Sequence, residues 1–416
     1  MTKKLVKNVG QLVTPEGNVG KTGRAMNDLS VTEDRAILIE DGVIVKVGNE
    51  GDFTAPENAN TIDAKGKPLL PGFIDPHTHF VFSGYRSAEF QMRLAGKSYE
   101  EIAEEGGGIA SSVNSTREAS FSKLKEESRD RLRSMVRFGI TTIEGKTGYG
   151  LDKVTELKQL KVMTELDAET PLDVVPTFLG AHSVPPEYSN RRNEYVEFVN
   201  REVTPLAAEK GAEFCDVFCD RGAFTVDESR KVLNEGKKVG LKPKIHADEI
   251  AGTGGAELAA EVGAISADHL LKASTEGLRR MREERVVAVL LPITAFSLKE
   301  KYARARAMID EGLPVSLATD FNPGSCFSES VPLLFSLATL YMEMTLEEAI
   351  TALTLNAAAA INRADRLGTI EHGKQADFVI LDAPDYRHLS YHIGVNVVDR
   401  VIKNGEIIWE KNHPAF

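Results

Sequence analysis

Short apolar runs, rather than long ones, dominate the middle of the chain. Phe73–Asp75, Thr141–Glu144, Asp173–Leu179, Phe214–Phe218, Lys244–His246, Ile265–Ala267, Val286–Leu291 and Val315–Ala318 have the length and uniformity of strands buried on both faces. Between most of them lie segments whose apolar residues recur among charges, such as Val154, Leu157, Leu160, Met163 and Leu166, which predict helices. Such strand–helix alternation, about eight times over, predicts a (β/α)₈ TIM-like barrel in preference to an open sheet.

The two ends of the chain follow a different pattern. Ala36–Val45 is a pair of apolar runs joined through Asp41-Gly42, and Val401–Ile408 is another joined through Asn404-Gly405. Both are hairpin signals, because such dipeptides accept the positive φ of a tight turn. Asp377–Leu381 is a further strand candidate. The expected organisation is a small β-sandwich domain built from residues 1–70 and 365–416, around a catalytic barrel at 71–364.

Composition narrows the function by exclusion. The net charge is −12 with no long basic run, which argues against nucleic acid and anionic membranes as partners. Three cysteines, Cys215, Cys219 and Cys326, are too few and too scattered for a disulfide framework and are expected to be reduced. Neither a secretory pattern nor a run of about 20 apolar residues is evident, so a cytoplasmic protein is expected. Gly106-Gly107-Gly108 precedes no Lys-Ser/Thr pair and follows no strand directly, which disfavours a phosphate loop.

The histidines change the picture. There are nine, and His77, His79, His182, His246 and His269 all fall at the ends of predicted barrel strands; Asp320 closes the eighth. All strand C-termini of a barrel meet on one face, so residues far apart in sequence converge there. His77 and His79, at i and i+2 on an extended strand, point the same way and can reach one ion. A further imidazole and a carboxylate would complete a site suited to zinc or iron. An ion there lowers the pKa of water from about 16 to about 7. Asp320 is placed to hold that water's proton, Glu249 in His246-Ala247-Asp248-Glu249 to carry a proton to a leaving nitrogen, and His269 to polarise the attacked carbon. A single histidine is ordinarily a surface or core residue; the joint pattern in barrel order is what points to a metal centre. Lys146 follows the second strand, the wrong place for a carboxylated lysine bridging two ions, which favours one metal.

Several segments resemble the imidazolonepropionase family of amidohydrolases: Pro71-Gly72-Phe73-Ile74-Asp75-Pro76-His77-Thr78-His79, Lys146-Thr147-Gly148-Tyr149-Gly150-Leu151, Leu179-Gly180-Ala181-His182, Ile245-His246-Ala247-Asp248-Glu249, Ser266-Ala267-Asp268-His269 and Asp320-Phe321-Asn322-Pro323-Gly324-Ser325. The resemblance spans nearly the whole chain. It implies His77, His79, His246 and Asp320 as ligands of one zinc or iron ion, and Glu249, His269 and Asp320 as catalytic residues. It further implies Arg86, Tyr99, Tyr149, His182, Glu249, Asn322, Gly324 and Ser325 as substrate contacts, and hydrolysis of 4-imidazolone-5-propanoate to N-formimino-L-glutamate. The residues agree on one selective point: a propanoate arm needs a cation, and the planar fork of Arg86, on the loop after the first strand, matches a carboxylate. The competing reading is another mononuclear amidohydrolase, such as a nucleobase deaminase, whose neutral substrate would leave Arg86 without a purpose. A homodimer is the expected assembly.

Overall fold

The computed structural model describes residues 2–53, 60–97, 101–102 and 105–411. Seven strands precede the barrel: β1 (Lys3–Val9), β2 (Gln11–Thr14), β3 (Ser30–Thr32), β4 (Arg35–Glu40), β5 (Val43–Asn49), β6 (Asn60–Asp63) and β7 (Pro68–Pro71). The barrel strands are β8 (Phe73–Thr78), β9 (Ile140–Lys146), β10 (Asp173–Ala181), β11 (Phe214–Cys219), β12 (Lys242–Ala247), β13 (Ser266–His269), β14 (Val287–Leu290) and β15 (Val315–Leu317). Three more follow: β16 (Phe378–Leu381), β17 (Val398–Lys403) and β18 (Glu406–Glu410).

Each of the eight apolar runs became a strand of one parallel sheet, in chain order from β8 to β15. The sheet nearly closes on itself: Asp320 N donates to His77 O at 3.1 Å and His79 N to Phe321 O at 2.8 Å. Their uniform burial explains why these strands read as continuous apolar runs instead of alternating ones. The strand boundaries shift slightly from the sequence reading, so that His77 and His269 also lie within their strands and the strand of His246 runs one residue further.

The helix Lys153–Glu169 forms where expected, with one correction to its buried face. Leu160, Met163 and Leu166 are buried, whereas Val154 is 76% exposed. A three-residue step turns only about 300° on a helix of 3.6 residues per turn, so a strict period of three drifts off the core face within a few steps.

The ends of the chain build two sheets, β5-β4-β1-β6 and β18-β17-β16-β7-β2-β3, the second containing strands from both termini. β16 pairs antiparallel with β7 in the register Val379 with Leu70. The two sheets share a core that includes Val6, Ile37, Ile39, Leu69, Phe378 and Ile402. Both hairpins turn as expected, with positive φ at Asp41, Gly42, Asn404 and Gly405. Lys403, on β17, ties this sandwich to the barrel by reaching Asp173 at 2.8 Å and Asp377 at 2.7 Å. No helix among the described residues is long and apolar enough to cross a membrane.

Candidate metal centre and substrate pocket

The two-residue period of a strand stacks polar side chains inside the barrel in layers. Asp75 and His77 on β8, Glu144 and Lys146 on β9, and Lys244 and His246 on β12 are all buried. The histidines form the upper layer. His77 Nε2 lies 3.4 Å from Asp320 Oδ1, His79 Nε2 lies 3.7 Å from the same oxygen, and His246 Nε2 faces His79 Nε2 at 3.4 Å. Two overlapping groups, His77–His79–Asp320 and His77–His246–His269, have donor atoms within 4.8 Å of one another. His269 reaches the same face because it and Leu270 adopt left-handed backbone conformations, as does Asp320. Such conformations cost about 1–3 kcal/mol each and gather at functional sites.

The electrostatics suit a cation. Burial, reinforced by nearby Lys146 and the other histidines, pushes His77, His79 and His269 well below the ordinary imidazole range, so they are neutral donors at pH 7. His77 Nε2 is buried with no hydrogen-bond partner, pointing at Asp320 and its neighbouring rings. An orphaned lone pair of this kind is costly in a dry interior unless it meets a proton or an ion. Imidazole nitrogens with one carboxylate oxygen are the donor set for zinc or iron, and these residues fit such an ion. Two carboxylates below complete the orientation: Asp268 Oδ2 accepts from His77 Nδ1 at 2.6 Å, and Asp216 Oδ2 lies 3.1 Å from His246 Nδ1.

Above the metal layer opens a cavity of about 360 Å³. It is lined by His79, Arg86, Tyr149, His182, His246, Glu249, His269, Asp320, Asn322, Gly324 and Ser325. The structure therefore brings together all the candidate residues that it describes; His77 does not line the cavity but lies fully buried beside His79, His246 and Asp320, and Tyr99 lies outside the described residues. A wider apolar recess of about 560 Å³, bordered by Tyr85, Phe90, Phe296 and Phe327, lies beyond Arg86 and Gly324; it has none of the histidines.

Each rim residue has a distinct support. Arg86, just ahead of the helix Ser87–Leu94, pairs with Glu89 through Nε at 2.8 Å. Its guanidinium lies against Gly324, where a Cβ would run into Nη1. Glu156 accepts backbone N–H bonds from Gly148 at 3.1 Å, Gly150 at 2.9 Å and Leu151 at 2.8 Å, shaping the turn that carries Tyr149. Gly148 has φ of +104°, and a Cβ there would stand 2.9 Å from His182. His182 Nδ1 donates to Gly148 O at 3.0 Å, which leaves Nε2 as an acceptor. Its pKa falls to about 4, chiefly through burial and secondarily through His246.

Glu249 is held by Asp220, whose carboxylate accepts the N–H groups of Glu249, Ile250 and Ala251 at 2.7, 2.8 and 3.0 Å. Burial, with Asp320, Asp220 and Glu300 acting in the same direction, pushes the Glu249 carboxyl up to about 8. Asp320 is raised to about 6 by burial, against the bond that Thr294 Oγ1 donates to Oδ2 at 2.6 Å. The Asn322 amide is turned onto its own loop. Oδ1 accepts from Gly324 N and Ser325 N, both at 2.8 Å, and Nδ2 donates to Asp320 O at 2.7 Å, so the side chain shapes the loop.

Asp216, Asp220, Asp268, Thr294 and Glu156 were not anticipated. For Asp216, Asp268 and Thr294 the only signal in the sequence is an acid or hydroxyl set in a largely apolar run; Asp220 and Glu156 carry none. The three cysteines are free and buried.

The amidohydrolase family model matches residues 69–408. An imidazolonepropionase from Clostridium tetani is 53% identical over 98% of this chain and 99% of its own length. One from Bacteroides fragilis is 52% identical over 97% of this chain and 99% of its own. Among solved structures, a 5-methylcytosine deaminase from Klebsiella pneumoniae has a TM-score of 0.72 at 17% identity, covering 98% of each chain, a likeness of fold alone. With the near-complete overlap in sequence joined to the barrel and its buried histidines, the chain belongs to the amidohydrolase family and, within it, to the imidazolonepropionases.

Proposed function

We propose that this chain hydrolyses 4-imidazolone-5-propanoate to N-formimino-L-glutamate, with His77, His79, His246 and Asp320 holding one zinc or iron ion. The observation that carries the reading is a single cavity with neutral imidazoles and Asp320 at its floor and the Arg86 fork on its rim. The bound ion supplies Lewis acidity and makes water acidic enough to act as a nucleophile near neutral pH.

The residues then divide the work. Arg86 takes the propanoate carboxylate, sharing its fork with Glu89. His182 accepts from the ring through Nε2, and Tyr149 and the Asn322–Ser325 loop bound the ring's edges. Asp320, whose Oδ2 accepts from Thr294, receives the proton of the attacking water. His269, neutral, donates one N–H to the ring carbonyl as negative charge grows there. The water oxygen bonds to that carbonyl carbon and the carbon–nitrogen bond breaks. Glu249, which retains its proton at neutral pH in the ion-free chain, delivers it to the departing nitrogen.

The test is metal analysis of the purified chain, followed by loss of imidazolonepropanoate ultraviolet absorbance in the same sample. About one ion per chain, with turnover lost on chelation and regained on reloading, is expected. One ion per chain without turnover refutes the substrate. We also propose the division 1–70, 71–364 and 365–416 into two domains, a cytoplasmic location and a homodimer, the last to be checked by sedimentation.

A further inference from the structure

We propose that Lys146 is a positioning residue for the metal centre, its one ammonium joining the two carboxylates that orient two different ligating imidazoles. Lys146 Nζ donates to Asp216 Oδ2 at 2.7 Å and to Glu144 Oε1 at 2.9 Å, and lies 3.4 Å from Asp268 Oδ2. Asp268 uses that same Oδ2 to accept from His77 Nδ1 at 2.6 Å. Asp216 uses its Oδ2 to face His246 Nδ1 at 3.1 Å, and its Oδ1 accepts the His246 backbone N–H at 3.2 Å. Thus each oxygen that orients an imidazole also touches Lys146. The side chains of Lys146, Glu144, Asp216 and Asp268 are all fully buried.

The physical need is plain. Two carboxylates this close in a dry barrel repel one another, and removing the cation between them leaves buried charge uncompensated. Held by Lys146, each carboxylate keeps its histidine in the Nδ1–H tautomer and aims Nε2 upward. The two contacts differ in kind: His77 Nδ1 makes a hydrogen bond to Asp268 at 2.6 Å, whereas His246 Nδ1, like His79 Nδ1, is buried without a hydrogen-bond partner and meets Asp216 Oδ2 as a charge contact at 3.1 Å. Lys244, a second lysine inside the barrel, reaches Glu144 Oε1 at 3.1 Å and the Pro76 carbonyl at 3.1 Å, and so supports the layer below.

The inference rests on His77 and His246 being metal ligands, and the experiment separates the two. Lys146→Met alone removes the buried cation between Asp216 and Asp268, so it is paired with Glu144→Gln, which removes one negative charge in turn and touches neither histidine. Asp268→Asn is made in parallel, because it keeps the shape of the side chain. The readouts are zinc affinity by chelator competition, the visible d–d bands of the cobalt-substituted protein, and the melting temperature, with Glu144→Gln alone as control. The expected result is zinc affinity about 10- to 100-fold weaker and altered cobalt bands in both the Lys146→Met/Glu144→Gln and Asp268→Asn proteins, with the control unchanged. Wild-type affinity and bands in a folded double variant overturn the proposal. If that variant does not fold, wild-type affinity in Asp268→Asn overturns it equally. A wild-type chain that binds no metal overturns the ligand assignment and the proposal together.

Discussion

Arg86 offers the sharpest test of substrate identity. Truncation to alanine removes a charge-assisted pair whose members, Arg86 and Glu89, each have side chains only 13% exposed. Hydrogen bonds to charged groups contribute about 1.5–3 kcal/mol, and little water is present here to screen them. In the free chain, however, the guanidinium already serves Glu89 at 2.8 Å, so the substrate gains only a share of the fork. The lower half of the range applies, about 1.5–2 kcal/mol, or about 10- to 30-fold in KM. Because the propanoate is remote from the reacting bond, it binds ground and transition states alike, and kcat should change little. Steady-state assays by ultraviolet absorbance give both constants. An Arg86→Ala/Glu89→Ala variant should recover part of the loss, since the stranded Glu89 no longer repels the substrate. A fall in kcat at unchanged KM would refute the reasoning.

Gly324→Ala should reproduce the Arg86→Ala phenotype, since its Cβ would displace Nη1; wild-type KM in that variant would show that the guanidinium can move without consequence. Glu249→Gln should keep its metal and lose at least about 100-fold in turnover; near-normal turnover would remove Glu249 from the reaction. Gly148→Ala must hold a positive φ and push on His182, so kcat/KM should fall and stability drop by about 1–3 kcal/mol; an unchanged melting temperature would contradict the strain. Chelation should lower the melting temperature as well as stop turnover, with about 4 kcal/mol lost when free metal had stood at 1,000 times Kd; an unshifted melting curve would mean the ion is not coupled to the fold.

How much of this was legible in the sequence varies with how local the signal is. The barrel strands were readable because burial on both faces makes a strand uniformly apolar, as in Val287–Leu290. The hairpins were readable because Asp41-Gly42 and Asn404-Gly405 carry their own backbone preference. His77, His79, His246, His269 and Asp320 stood out because barrel geometry converts order along the chain into proximity. Asp216 and Asp268 did not, since their meaning depends on His246 and His77, contributed by other strands. The hydrogen bonds of the Asn322 amide were not legible for a related reason: nothing in Asn322-Pro323-Gly324-Ser325 says whether the side chain turns to a ligand or back onto its own loop.

The pairing of β7 with β16 has a consequence for the chain while it is being made. Leu70 meets Val379 only after the entire barrel between them has been synthesised. At ribosomal rates of about 5–20 residues per second, that is an interval of about 15–60 s. Throughout it, β7 presents an unpaired edge, the kind of surface that recruits foreign strands. The seam of the barrel imposes the same delay on the chemistry, since Asp320 joins His77 only when the last barrel strand docks. A nascent or truncated chain that stops before the last barrel strand thus lacks one of the four proposed ligands and holds an open sheet. Sheltering by chaperones during those seconds, more than the stability of the finished molecule, should set the yield of active protein.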